Sequence, residues 1–287
     1  MVFFLATPGE PLPTCYTLAL AGDVMLGRGV AQSLDGDWEA AFAAVTPTLS
    51  SADVAFANLE SPLTTAPQVR AGHDLRAAPA ATRALSAAGF DVLSLANNHA
   101  LDAGPVGLAQ TERALASAAI AGVAHGETYC TDWLCILAFD DTAAPLDLAA
   151  ATASVTAAAA AHAPLVVVSV HWGGEYQAAP SPRQEAVAQA LVAAGADLVV
   201  GHGPHVLQRV EWIAGAPVVY SLGNFLFDQP YPADCRQAAV LLVTVCDGRV
   251  CEVEVLPTTG NAGRVQPAAP QDAAAIHARL RVPPAYP

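Results

Sequence analysis

The sequence contains no lysine, and all 12 of its basic residues are arginines. That absence excludes Schiff-base chemistry and the lysine of a phosphate-binding P-loop. Charge is scarce altogether, at 13% of 287 residues, and it leans acidic: 26 Asp and Glu give a formal net charge of -14. A surface of that sign repels a nucleic-acid backbone, so no DNA or RNA partner is expected. Long hydrophobic runs are missing too. The apolar start, 1–6, has no basic flank and meets Pro8, Gly9, Pro11 and Pro13 at once, while the alanine-rich stretch 143–163 is broken by Pro145, Asp147 and His162. Neither fits a signal peptide or a membrane span, so the expectation is a cytoplasmic or otherwise soluble chain without membrane insertion. Cys-x-x-Cys spacing is also lacking, which argues against a zinc knuckle. Cys15, Cys130, Cys135, Cys235, Cys246 and Cys251 are therefore read as buried thiols. A disulfide stays open for Cys130/Cys135 and for Cys246/Cys251, because each pair straddles an expected hairpin turn. No internal repeat is visible.

What the sequence does have is apolar residues, at 54%, enough to exclude disorder and to suggest one core. Six short β-rich apolar runs each stop at a residue able to hold a metal or a proton. They are 16–21 before Gly22-Asp23, 54–57 before Asn58-Leu59-Glu60, 92–96 before Asn97-Asn98-His99, 165–170 before His171, 198–200 before Gly201-His202-Gly203-Pro204-His205, and 218–220 before Ser221-Leu222-Gly223-Asn224. Continuous runs suit strands covered on both faces. Alanine-rich segments with helical spacing, 80–88, 106–119 and 183–194, lie between several of them and end near Gly89, Gly122 and Gly195. The pattern is strand, helix, strand, and in such sheets ligands collect at the carboxyl ends of strands. A closed (β/α)8 barrel would use the same end. Segment 206–213 alternates as a strand, turns at Ala214-Gly215 and leaves no room for a helix, and further hairpins are expected at Thr131-Asp132 and Asp247-Gly248. The sheets are therefore mixed, which favours a layered α/β sandwich.

Single histidines carry little weight, and His73, His125, His162 and His277 are read as ordinary ones. His171, His202 and His205 follow buried-strand patterns. The Gly and Pro in the His202–His205 spacing bend the backbone enough to turn both imidazoles into one cavity. With Asp23, Glu60 and Asn98 they form a mixed nitrogen and oxygen set that suits Zn, Mn or Fe. Six ligands exceed the needs of one tetrahedral ion, so one or two divalent ions are expected, a pair lying about 3.5–4 Å apart with Glu60 or Asp23 as bridge. His99, three residues before Asp102, is the candidate general acid, with Asp102 orienting it.

The motifs Gly22-Asp23-Val24-Met25-Leu26-Gly27-Arg28, Asn58-Leu59-Glu60, Asn97-Asn98-His99-x-x-Asp102, His171-Trp172-Gly173-x-Glu175-Tyr176, Gly201-His202-x-Pro204-His205-Val206-x-Gln208 and Ser221-Leu222-Gly223-Asn224-Phe225 resemble the bacterial capsule-synthesis CapA family, the PgsA-type proteins linked with poly-γ-glutamate. The resemblance spans about residues 16–256. It implies a four-layer αββα sandwich similar to the calcineurin-like metallophosphoesterases, with a dinuclear metal site at one edge. It also shows two departures: an imidazole expected two residues after Asp23 is Met25, and the expected bridging Asp is replaced by Asn58 and Glu60. Residues 1–256 are expected as one domain and 257–287 as a surface segment with a helix over about 272–281.

The activity implied is hydrolysis of a phosphate ester by a metal-activated water, with His99 protonating the leaving oxygen. Arg28 would brace a small anionic substrate bidentately, with Arg76 a second choice. Asn58, Asn97, Glu175, Tyr176, Gln208 and Asn224 would bind substrate or shape the pocket. Two other readings stand beside it: a non-catalytic component that handles a polyanionic polymer, and a metal-dependent amide or ester hydrolase.

Overall fold

A computed structural model describes residues 14–161, 164–261 and 263–282. The expectations for the start of the chain and for His162 fall outside the described residues. The first half of the chain comprises β1 (Cys15–Val24), α1 (Arg28–Leu34), α2 (Thr46–Leu49), β2 (Val54–Leu59), α3 (Thr82–Ala88), β3 (Val92–Ser94), α4 (Gly104–Ser117) and β4 (Ala121–Val123). Then come β5 (Thr128–Cys130), β6 (Leu134–Asp140), α5 (Leu148–Ala160), β7 (Leu165–His171), α6 (Pro182–Ala193), β8 (Leu198–His202), β9 (Leu207–Ile213) and β10 (Ala216–Leu222). The chain finally passes through β11 (Asn224–Leu226), β12 (Gln237–Cys246), β13 (Arg249–Asn261), β14 (Arg264–Pro267) and α7 (Pro270–Leu280).

The helices form where local signals agree. Ser181 and Gln184 close a capping box around Pro182 at the start of α6, Asp147 caps α5 by accepting from Ala150 N, and Gly89 ends α3 at φ +86°. The strands assemble into two mixed sheets, ordered β14-β13-β12-β1-β2-β3-β4, with β11 alongside β1, and β5-β6-β7-β8-β10-β9. Strands β1 to β4 run parallel, as do β6, β7, β8 and β10, while the hairpin partners are antiparallel.

Alternation along each strand sorts its apolar side chains into layers. In β1 and β2, Ala19, Ala21, Ala55 and Ala57 pack under the first-half helices, while Leu18, Leu20, Val54 and Phe56 face the second sheet. In β6 and β7, Ile136 and Val167 meet that inter-sheet core, and Leu137, Val166 and Val168 pack against α5 and α6. The result is an αββα sandwich with three apolar layers where the sequence suggested one. Runs buried on both faces are the reason the strands read as continuous.

All three expected hairpins form, at Ala214-Gly215, at Thr131 and between β12 and β13. The C-terminal segment differs from its expectation. β13 runs through the expected boundary at 256/257, β14 extends the first sheet, and α7 buries Ile276 and Leu280 fully in the inter-sheet core. Alternation fades after Pro257 because β13 is half-buried on both faces. The cysteines differ as well. Cys15 is bonded to Cys246 and Cys130 to Cys135, leaving Cys235 and Cys251 as thiols. Cys15 and Cys246 face each other across β1 and β12, whereas Cys251 falls at an irregularity in the β12–β13 register and has no opposite residue.

The end of β1 makes one especially close contact with the junction between β10 and β11. Asp23 N donates to Gly223 O at 2.9 Å, and a Cβ on Gly22 would overlap that same carbonyl oxygen. Only glycine lets β1 come this near the start of β11.

Candidate metal centre

Strand register sets two polar rungs facing each other at the carboxyl end of the sandwich. In the second sheet Asp140, His171 and His202 are direct neighbours across β6, β7 and β8. In the first, Asp23 pairs with Asn58 across β2 and with Asn224 of β11. Glu60 follows β2 directly, the Asn97–His99 segment follows β3, and His205 follows β8 with a left-handed φ of 59°.

Three imidazoles aim the same nitrogen at one carboxylate oxygen. His171, His205 and His99 place Nε2 at 3.4, 3.8 and 3.9 Å from Glu60 Oε1. Each is held from behind at Nδ1: His171 by Thr142 Oγ1 at 3.2 Å with Asp140 at 3.7 Å, His205 by Asn224 Oδ1 at 2.9 Å, and His99 by Asp102 Oδ2 at 2.7 Å. Anchoring one ring nitrogen on an oxygen fixes the tautomer and frees the other. His202 instead turns Nδ1 to Asp23 Oδ1 at 3.4 Å, and Asp23 Oδ2 lies 3.4 Å from His205 Nδ1. A relay of amides supports the set. Asn58 Nδ2 donates to Asp23 Oδ1, Asn97 Nδ2 donates to Asn58 Oδ1 and Leu59 O, and Asn97 Oδ1 accepts from His99 N.

Electrostatics follow from burial and opposite charge. Burial opposes the Asp23 carboxylate, yet contacts with His202 and His205 hold it well below the usual carboxylate range. Burial pulls His171 and His205 down, and the carboxylates of Glu60, Asp140 and Asp23 outweigh it, leaving them pushed up to about 10 and about 9. Asp140, also opposed by burial, is held down at about 2 by His171 and Thr142. Three buried carboxylates thus draw positive charge toward the imidazoles.

The residues fit a divalent cation. Both oxygens of Glu60, Nε2 of His171, both ring nitrogens of His202 and Oδ1 of Asn98 are buried without a hydrogen-bond partner among the described residues. Such atoms are costly to bury unless something else satisfies them. Asp23, Glu60 and His171 offer ligand atoms all within 4.8 Å of one another.

Other expected residues stand differently. Met25 is buried and its Sδ accepts from Gly27 N, so it turns away from the centre. Arg28 spends Nε and Nη2 on Asp228, and Arg76 is held by Asp74 and the Ala66 carbonyl, so neither presents a free fork to a substrate. Asn58 and Gln208 are fully buried. Gln208 instead bonds Gln184 and the carbonyls of Gln177 and Ala179, fixing the loop that carries Glu175 and Tyr176. Tyr176 donates its N–H to Pro204 O and, with Glu175, is exposed near His205. Asn224 acts on His205, and Asn97 on His99. Sequence reasoning missed Asp140, Thr142 and Asp228. The apolar run 134–139 stops at Asp140 just as the six others stop at polar residues, so that signal was present.

Several known proteins are similar to this chain. The family described as Bacterial capsule synthesis protein PGA_cap matches residues 17–133 and 131–229. The Capsule biosynthesis protein CapA of Bacillus anthracis is 31% identical over 88% of this chain and 69% of its own length. The PGA biosynthesis protein CapA of Bacillus subtilis is 32% identical over 74% of this chain, which spans 63% of that relative. A probable polyglutamine synthesis accessory protein of Mycobacterium tuberculosis, Rv0574c, is 26% identical over 91% of this chain and 89% of its own. Among solved structures, a phosphatase from Mycoplasma pneumoniae superposes with TM-score 0.58 at 12% identity, covering 92% of this chain and 98% of its own. A hypothetical protein from Thermus thermophilus gives 0.54 at 18% identity, covering 84% and 98%. These two show the fold.

Proposed function

The chain belongs to the bacterial capsule synthesis family PGA_cap, and from that premise we propose that it is a metal-dependent hydrolase of phosphate esters. The observation that carries this reading is the convergence of three Nε2 atoms on Glu60 Oε1, with Asp102 behind one of them. Asp23, Glu60, Asn98, His171, His202 and His205 would hold one or two divalent ions, with Glu60 the central carboxylate. A cation held there supplies Lewis acidity toward phosphoryl oxygens and acidifies water.

The protein's own groups do the rest. His99 differs from the other two imidazoles in being less enclosed, with a fifth of its side chain exposed against 4–5% for His171 and His205. Its Nδ1–H donates to Asp102, so Nε2 is the atom from which a proton reaches a leaving oxygen. Asp140 and Thr142 hold His171, and Asn224 holds His205, so neither ring can rotate to compete for that proton.

The test is chelation followed by reloading with Mn, Zn or Fe and assay of an aryl phosphate. Turnover restored by metal and lost in His99→Ala supports the reading. The relatives' names favour a second one, a polymer-handling component of capsule or poly-γ-glutamate synthesis. Polymer binding without turnover by any metal form would establish that instead, and cleavage of γ-glutamyl peptides but not phosphates would make the chain an amide hydrolase.

A further inference from the structure

Beside the centre lies a cleft of about 430 Å³ whose walls include Leu95, Leu101, Leu108 and Leu146. It shares Asn97 and Asp140 with the centre, and the segment between its lining residues Asn97 and Ala100 carries His99. Leu101 in its wall is 37% exposed, and outside it Val69, 67% exposed, sits over Gly104 at the start of α4, the helix that also carries Val106, 61% exposed. Exposed apolar side chains grouped around a cleft mark a place where something apolar binds.

Arg70 stands at the same cleft. Its Nη1 donates to Asn98 O at 2.9 Å, and the N–H groups of Val69 and Arg70 both donate to Asp102 O, so this residue is tied to the loop that positions His99. Arg28 and Arg76 are each neutralised by their own carboxylate. Arg70 pairs with no carboxylate among the described residues. The two acids lining the cleft are engaged elsewhere: Asp140 by His171, Thr142 and Ala143 N, and Asp147 by Ala150 N as the cap of α5. A tethered guanidinium without a counter-ion, in a chain of charge -14, is suited to receive an anion.

We propose that this cleft is a substrate subsite that takes the apolar leaving group of an anionic ester, with Arg70 binding the ester's negative charge. The substrate class is then an amphiphilic phosphate ester, an apolar alcohol joined to an anionic head. The proposal rests on the reading of the adjoining centre as the hydrolytic site. His99, between the cleft and Glu60, lies where the departing oxygen of such an alcohol needs its proton.

Calorimetric titration of the full chain with methyl, butyl and hexyl phosphate tests it, because it measures binding whether or not turnover occurs. Affinity should rise by at least about tenfold from methyl to hexyl, well within what added buried methylenes supply. Leu101→Asn, on an exposed turn where folding is not at stake, and Leu108→Asn should each reduce that gain about threefold or more. Arg70→Gln should weaken all three ligands alike by about fivefold or more, as loss of a charge-assisted contact does. Affinity independent of chain length, a gain that survives both leucine changes, an Arg70→Gln variant that binds as the parent does, or no binding at all would overturn the proposal. Chain-length-dependent binding without hydrolysis would keep the subsite and remove the hydrolase reading, and hydrolysis of an aryl phosphate without chain-length dependence would do the reverse.

Discussion

Glu60 Oε1 lies 3.4 Å from Nε2 of His171, and neither atom has a hydrogen-bond partner among the described residues. A buried carboxylate and a buried imidazole so placed suit a shared divalent cation. Glu60→Gln keeps the shape and removes the charge, so affinity for a divalent ion should fall by about 10–100-fold or more. Elemental analysis and chelator competition read this directly, and a variant that retains the parent's metal content would move the centre away from Glu60.

His99→Ala should lower turnover by about 10²–10⁴-fold, the range for loss of a general acid. Metal content should stay unchanged. Asp102→Asn should reduce kcat more than it alters KM, because the amide removes the carboxylate that fixes the tautomer and orientation of the His99 ring. Loss of bound metal in either variant would mean that His99 is a ligand.

The metal-free protein should be pH-sensitive on the alkaline side. His171 and His205 titrate at about 10 and about 9 in the fold, against an ordinary value of 6.5. The folded state therefore binds these protons more tightly than the unfolded chain. That contribution is complete below about pH 6.5 and is lost as pH rises through 9 and 10. Thermal midpoints of the chelated protein should fall across that window, and saturating metal should flatten the profile and release protons on binding. A chelated protein with a constant midpoint from pH 6 to 10 would contradict this.

Ile276→Ala should destabilise the protein by about 2–4 kcal/mol, as for an aliphatic side chain removed from a packed core. A surface helix would tolerate the change almost without cost. Denaturant midpoints decide between the two.

Two of six cysteines should react with a thiol reagent after unfolding without reductant, and all six after reduction. Paired cysteines persist in oxidising surroundings. Six reactive thiols in the unreduced protein would contradict both pairings and leave the cysteines as the thiols expected from the sequence.

The layers and the centre were legible because both are written locally. An apolar run covered on two faces reads as a strand by itself, and the residue that ends it stands where parallel strands gather their polar ends. That is how Asp23, Glu60, His171, His202 and His205 could be grouped, and why the Asp102 support of His99, three residues away, was visible. What escaped depends on partners remote in the chain. Arg28 is held by Asp228, and Cys15 by Cys246, 231 residues away, through a strand register that no local pattern encodes. Asp140 was hidden differently, because the hairpin turn just before β6 draws attention from the end of that strand. The end of β13 and all of β14 escaped because half-buried strands alternate weakly.

The close approach of Gly22 to Gly223 has a consequence for how the molecule matures. Asp23 and Glu60 belong to the first half of the chain and the three strand-end imidazoles to the second, and this contact is one of the places where the halves touch. No fragment or half-assembled intermediate holds the whole donor set. Ion capture would thus report the moment of docking, and during refolding it should trail the burial of tryptophan within the second sheet.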